Sequence, residues 1–191
     1  MPGQVNWELY GGINYAWTQL RILPENVAGL RVRGVNPMYG PEYGLRATYR
    51  LQASLEAGVS LGYAGMGYTG NYYEQQVFHF LPLRTELLFH AEQAPDWLRR
   101  LSLGGGGHLQ LALNKPRQTL FPYSAFIHDP RWVYGVHGRV QYALGQQVVL
   151  AVQYLHALSP YTRSFLFDGQ VETQYRHRAV IFQAAYRIGR E

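Results

Sequence analysis

The fold is decided by residues 43–63, which read YGLRATYRLQASLEAGVSLGY and alternate apolar with small or charged side chains. Side chains of a β-strand point alternately to opposite faces, so a repeat of two residues predicts a strand with one apolar and one polar face. A short turn at residues 52–54 separates two such strands. The stretch therefore predicts a hairpin in a sheet whose two faces meet different surroundings.

The same alternation recurs along the chain and predicts about eight strands, the first of them under way by Trp7. Short turns are predicted at residues 52–54 and 144–146, and a moderate one at 92–99. Because long and short connections alternate, the long loops gather at one end of a single domain, residues 1–191. The predicted fold is an eight-stranded antiparallel up-and-down β-barrel. Its long loops cover about residues 21–41, 67–76, 115–130 and 159–170.

Composition excludes several classes of protein. No apolar run approaches the roughly 18 residues that a transmembrane helix needs. Cysteine is absent and the seven histidines show no metal-ligand spacing, so neither a cofactor nor a metal site is predicted. The net charge of +5 comes from arginine, with Lys115 as the only lysine, and no basic cluster or basic helix indicates nucleic-acid binding.

The first four residues, MPGQ, lack the basic and apolar regions of a signal peptide. Since strand-like alternation begins almost at once, we expect that a signal peptide was removed from this chain.

Two barrels fit the pattern and assign its faces oppositely. A soluble, lipocalin-like binding barrel buries the apolar face, whereas a transmembrane barrel turns that face to lipid and encloses the polar one. The polar face is rich in Gly, Ala, Ser and Thr, which suits the narrow interior of eight strands. Large aromatic residues lie on the apolar face, many near strand ends, as membrane interfaces require. They are Trp7, Trp17, Tyr43, Tyr63, Trp132, Tyr142, Tyr154 and Tyr186. We therefore predict a transmembrane barrel with a polar, filled interior.

Charged and polar residues of the interior parity are predicted to form a network inside the barrel. Enclosed carboxylates and guanidiniums must pair, because an uncompensated buried charge is strongly unfavourable. The predicted members are Glu8, Arg46, Arg50, Glu56, Arg84, Glu86, His108, His137, Arg139 and Gln141. Such a network is either a structural plug or part of a gated conduit. We favour the plug, because eight strands leave no continuous water channel.

Three segments resemble a known family. Residues 80–87, FLPLRTEL, resemble the "IPLLLKY"-type fourth strand of the small PorT-like outer-membrane β-barrels of Bacteroidetes. The glycine-rich residues 103–113 resemble the next strand of that family, and residues 184–188, AAYRI, resemble its closing "YRF" with Ile188 in place of the aromatic. The resemblance implies the barrel fold and a Gram-negative outer-membrane location, and it assigns no activity.

Arginines at the predicted long-loop end are candidates for contact with lipopolysaccharide, because a guanidinium group binds phosphate at two points. The candidates are Arg31, Arg33, Arg117, Arg131, Arg163, Arg176 and Arg178. An ordinary solvated loop surface is the alternative. Aromatic residues of the same loops, such as Tyr72 and Phe121, are suited to docking a protein partner. We predict a non-enzymatic protein with a structural, adhesive or assembly and secretion-accessory role through its outer loops, and no open channel.

A rim-sited lipid A hydrolase is the alternative function. His156, Ser159 and Glu172 resemble the His, Ser and acid that outer-membrane lipid hydrolases carry near one rim. In those enzymes the His and Ser lie two residues apart and share a face. A spacing of three places His156 and Ser159 on opposite faces of a regular strand, and Pro160 indicates that Ser159 begins a loop.

Overall fold

The computed structural model describes residues 5–23, 35–70, 76–114, 126–128, 131–166 and 171–188. Within these ranges the chain is almost entirely β-strand, with one helix of a single turn, α1 (Asp96–Arg99). The strands are β1 (Val5–Leu23), β2 (Val35–Gln52), β3 (Leu55–Gly70), β4 (Gln76–His90), β5 (Leu101–Ala112), β6 (Phe126–His128), β7 (Trp132–Leu144), β8 (Val148–Ala157), β9 (Thr162–Leu166) and β10 (Val171–Ile188). None of the helical residues in the described ranges forms a segment with both the length and the apolar character needed to cross a membrane.

Eight of the strands form a closed antiparallel barrel. They follow one another in the order β1-β2-β3-β4-β5-β7-β8-β10, and β10 pairs back onto β1 from Trp7↔Ile188 to Leu23↔Glu172. Closure gives every strand of the ring two neighbours. The predicted eight-stranded antiparallel barrel is thus confirmed.

Exposure alternates along the barrel wall and shows which face is outside. On β8, Leu150, Val152 and Tyr154 are each more than 40% exposed, whereas Ala151 and Gln153 are buried. The same alternation runs along β4 and β7. An apolar belt of this extent is far larger than the apolar patches of soluble monomers, and it is what lipid contact requires. The soluble-barrel alternative, which needs the apolar face inside, is therefore wrong.

Aromatic side chains pair with one another on the outward faces of β1, β2, β3 and β8. Tyr15 lies beside Tyr39 with ring centroids 4.9 Å apart, and Tyr43 stacks on Tyr63 at 5.0 Å. Trp17 lies 6.3 Å from Tyr154. Tyr and Trp favour the membrane–water boundary because they combine an apolar ring with a polar tip, so Tyr15, Trp17, Tyr39 and Tyr154 form an aromatic girdle at the outer edge of the apolar belt.

The strands reach further into the predicted long loops than the sequence suggests. β1 continues to Leu23 and β2 begins at Val35, so both ends of the predicted loop 21–41 are strand. β3 likewise runs to Gly70 and β4 starts at Gln76. The predicted loops 115–130 and 159–170 contain β6 and β9, and these add to the outer extension of β10 in the order β10-β9-β6.

The opposite end holds tight connections. β2 and β3 are joined through residues 53–54, and β7 and β8 through residues 145–147. Gly145 has a φ of 80°, a left-handed conformation that L-residues with a side chain adopt only with strain. The moderate turn predicted at 92–99 contains α1.

Candidate functional site

Arg46 forms the centre of a charged network inside the barrel. It lies on the inward face of β2, with only 1% of its surface exposed. Its Nη1 donates to Glu8 Oε2 at 2.8 Å and to Gln141 Oε1 at 3.1 Å, and its Nε lies 2.5 Å from Glu86 Oε1. Arg187 joins from β10, with its Nε donating to the second oxygen of Glu8 at 3.0 Å. The guanidinium group of Arg46 thus links two buried carboxylates, those of Glu8 and Glu86.

A second centre forms around Glu42, also on β2. Glu42 Oε1 accepts from Arg84 Nη1 at 2.5 Å and from Gln183 Nε2 at 2.7 Å. The amide oxygen of Gln183 accepts from Arg139 Nη1 at 2.8 Å, and Arg139 Nε donates to Gln141 Oε1 at 3.0 Å. Because Gln141 also accepts from the central arginine, the two centres form one continuous network.

The network crosses the lumen and ties the wall together. Its members come from β1, β2, β4, β7 and β10, five of the eight strands of the ring. Paired charges of this kind neutralise one another, and removal of one partner would leave the other buried without compensation. The geometry suits a structural plug that cross-links distant strands.

Two predicted members lie at the short-turn end instead of in this network. Arg50 Nη2 donates to the Ala53 carbonyl at 2.8 Å and lies 3.6 Å from Glu92. Glu56 pairs with His90 at 3.6 Å. Both residues therefore contact partners close to the turn, not the central arginine and glutamates.

The two predicted interior histidines lie side by side. His108 and His137 are both buried, with ring centroids 6.4 Å apart, and His137 Nε2 is 3.7 Å from Glu86. Neither ring nitrogen of His108 has a hydrogen-bond partner among the described residues.

Three network residues were missed by the sequence analysis although the alternation indicates them. Glu42 shares its parity with Arg46, but it stands at the boundary of the predicted long loop. Phe182 points outward from β10. Gln183 and Arg187 lie on the other face of the strand, so the alternation predicts that they point inward. A strict extension of the period of two through both strands would have found all three.

The outer half of the interior combines an apolar cluster with neutral polar side chains, among them His177 and Gln110, which are hydrogen-bonded at 2.9 Å. Phe78, Phe80, Leu155 and Ile181 belong to one buried cluster in the barrel. Tyr161 packs edge-on against Phe78, with ring centroids 4.8 Å apart. Side chains therefore fill the lumen in two layers, a charged one toward the short turns and a largely uncharged one, both apolar and polar, toward the long loops.

Arginines and a histidine line the outer face of the wall just beyond the aromatic girdle. Arg178 lies on β10 between Trp17 of β1 and His156 of β8, to both of which it is register partner. Arg176 lies one step further out, and Arg163 of β9 follows beside Gln174. We define the basic stripe as His156, Arg163, Arg176 and Arg178. All four are partly exposed.

Few acidic side chains among the described residues lie close enough to pair with the cations of the basic stripe. Arg163 Nε lies 3.6 Å from Glu172, and Arg176 Nη2 donates to the neutral Gln174 at 2.9 Å. Arg178 Nε has no hydrogen-bond partner in the described ranges. Such an arrangement can hold an anion, because a guanidinium presents several donors in one plane.

Of the other predicted lipopolysaccharide contacts, Arg131 alone lies within the described residues. Arg131 is exposed and directly precedes β7, whereas Arg31, Arg33 and Arg117 lie outside the described residues. Most of the aromatic loop residues predicted to dock a partner, Tyr72 and Phe121 among them, also lie outside.

The residues of the alternative hydrolase site do not form a triad. Ser159 is buried, and its Oγ accepts from the backbone N–H of Tyr134 at 2.9 Å. His156 faces outward in the stripe, and Glu172 contacts Gln174 and Arg163. Within the described ranges, no group of three or more histidine or acidic side chains is placed to hold a metal ion.

Comparisons with known proteins identify solved structures that resemble this chain. Neither a protein-family model nor a curated protein sequence matches the chain. The crystal structure of the outer membrane protein OprG from Pseudomonas aeruginosa matches with a TM-score of 0.58 and 11% identity, over 99% of this chain and 98% of that one. The outer membrane protein AlkL, solved in DMPC lipid bilayers, matches with a TM-score of 0.51 and 16% identity, over 100% and 93%. The fold, with its apolar belt, is that of a transmembrane barrel of the Gram-negative outer membrane.

Proposed function

We propose that this chain is a non-enzymatic protein of the outer membrane that acts through its outer end, in a structural, adhesive or assembly and secretion-accessory role. The filled lumen supports a role without an open channel. The segments at residues 80–87 and 184–188 support membership in the PorT-like barrels of Bacteroidetes, which is part of the proposal.

The proposed ligand of the outer rim is the phosphate of lipopolysaccharide, and the basic stripe is the observation that carries this proposal. Arg178 lies level with Trp17 at the girdle, where the headgroups of the outer leaflet begin. Arg176 stands further out on the same face. Phosphate accepts two parallel hydrogen bonds from one guanidinium, and basic residues near an anionic membrane surface add about 1 kcal/mol each.

Binding of lipid A to the purified protein in detergent micelles tests this function. The double variant Arg176→Gln, Arg178→Gln should bind bisphosphorylated lipid A about 10- to 100-fold more weakly. The reason is that a hydrogen bond to a charged group contributes about 1.5–3 kcal/mol to the binding free energy. Binding of dephosphorylated lipid A should be unaffected. The control Arg100→Gln changes an exposed arginine at the opposite end, next to α1, and should bind like the parent. Equal affinity of the double variant and the parent for bisphosphorylated lipid A would refute the proposal.

A further inference from the structure

A groove lies in the lipid-facing wall across β7, β8, β10 and β1. Its floor is the register pair Gly11 and Ala184, and around them stand the larger Ile13, Phe182, Tyr142 and Leu150. A side chain added at Gly11 would meet no atom within 4 Å, so the floor is open. The groove has a volume of about 550 Å³, within the range of small-molecule binding sites.

The wall of the groove is apolar. Gln141 and Gln183 also border it, but their side chains turn into the barrel and are hydrogen-bonded in the charged network. The outward side chains that remain are aliphatic or aromatic. A hydrocarbon chain fits such a surface, whereas a polar group would find no partner there.

The groove and the basic stripe share strands β8 and β10. Along β10 the outward residues run from Arg178 through Val180 to Phe182 and Ala184, and β1 repeats this from Trp17 to Gly11. Four to six residues at about 3.3 Å each place the groove roughly 13–20 Å along the strand from the stripe. With a strand tilt of about 40°, that is about 10–15 Å in depth, within the outer half of a hydrocarbon core about 30 Å thick.

We propose that this groove holds an acyl chain of the same phosphate-bearing lipid whose headgroup contacts the basic stripe. The inference rests on the proposed function. It adds a second contact between the protein and the lipid, made by the groove and the acyl chain. Surrounding lipid is as apolar as the groove, so the preference for a seated chain comes from closer packing and from its link to the bound headgroup. The result is a lipid held at two points, not one that exchanges freely.

Filling the groove tests the inference. Gly11→Leu should weaken binding of bisphosphorylated lipid A at least fivefold and leave binding of its deacylated phosphorylated disaccharide unchanged. Ala184→Leu fills the same floor and should act alike. The matched control Gly107→Leu alters another outward glycine, on β5, where an added Cβ meets nothing closer than 3.9 Å.

The outcomes separate this inference from the function on which it rests. If Gly11→Leu and Ala184→Leu bind lipid A like the parent while Arg176→Gln, Arg178→Gln does not, the groove is refuted and the stripe stands. If the arginine variant binds normally, both proposals fail. If either groove variant instead converts a dimer in micelles to a monomer without a change in lipid affinity, the groove is an interface between copies and the acyl-chain inference is overturned.

Discussion

At the scale of single residues, the environment decides what an arginine does. Arg46 and Arg178 carry the same guanidinium group. Arg46 faces the lumen, whereas Arg178 lies at the outer boundary of the apolar belt. The buried guanidinium contacts Glu8 and Glu86 and is the nearest cationic partner of both carboxylates. The outer guanidinium belongs to a partly exposed side chain, which can present donors to a ligand.

Arg46→Met should therefore destabilise the barrel strongly. Methionine preserves much of the volume but leaves two carboxylates buried without their main partner, which typically costs about 3–5 kcal/mol. Reversible urea unfolding in lipid vesicles measures the change in the free energy of unfolding. Arg99→Met, which removes an exposed ion pair to Asp96, is the control and should stay within about 0.5 kcal/mol of the parent. A loss below about 1 kcal/mol for Arg46→Met would contradict the account of the network.

At the scale of elements, alternation predicted the strands well and their outer ends badly. Pro37 and Pro41 favour a loop in the sequence analysis, because proline has no N–H to donate to a neighbouring strand. Both lie within β2, where the β2–β3 register shifts between Pro37 and Glu42. Irregular pairing of this kind accommodates proline in a strand, and a single sequence gives no sign of it. Pro82 has a similar effect on the β3–β4 ladder, which is interrupted at its level.

The turn between β7 and β8 permits a prediction at this scale. Gly145→Ala should destabilise the barrel by about 1–2 kcal/mol, because Gly145 has a φ of 80° and a Cβ is strained there. The same urea unfolding experiment measures it. Gly138→Ala, an outward glycine of β7 with no close neighbour for a Cβ, should be unchanged or slightly more stable. Equal stability of Gly145→Ala and the parent would show that the turn relaxes without strain.

At the scale of the whole molecule, the alternation predicted which residues point inward but not which of them meet. The pairing of Arg84 with Glu42 and the position of Glu56 beside His90 depend on strand register and barrel closure, which the spacing along one strand does not contain. The apolar cluster around Phe80 also departs from the wholly polar interior that the charged positions indicate, although the buried His177 and Gln110 lie beside it. Arg163 joins the basic stripe because β9 pairs with β10, where Arg163 is the register partner of Gln174.

The orientation of the two faces is the central claim, and spin-label accessibility in lipid bilayers tests it most directly. The chain has no cysteine, so single cysteines at Leu150, Val152 and Gln146 carry labels without background. Labels at Leu150 and Val152 should collide more with oxygen, which partitions into lipid, than with a water-soluble nickel complex. The label at Gln146, in the exposed turn, should show the reverse. Preferential collision of the nickel complex with labels at Leu150 and Val152 would place the apolar face in water and contradict the account.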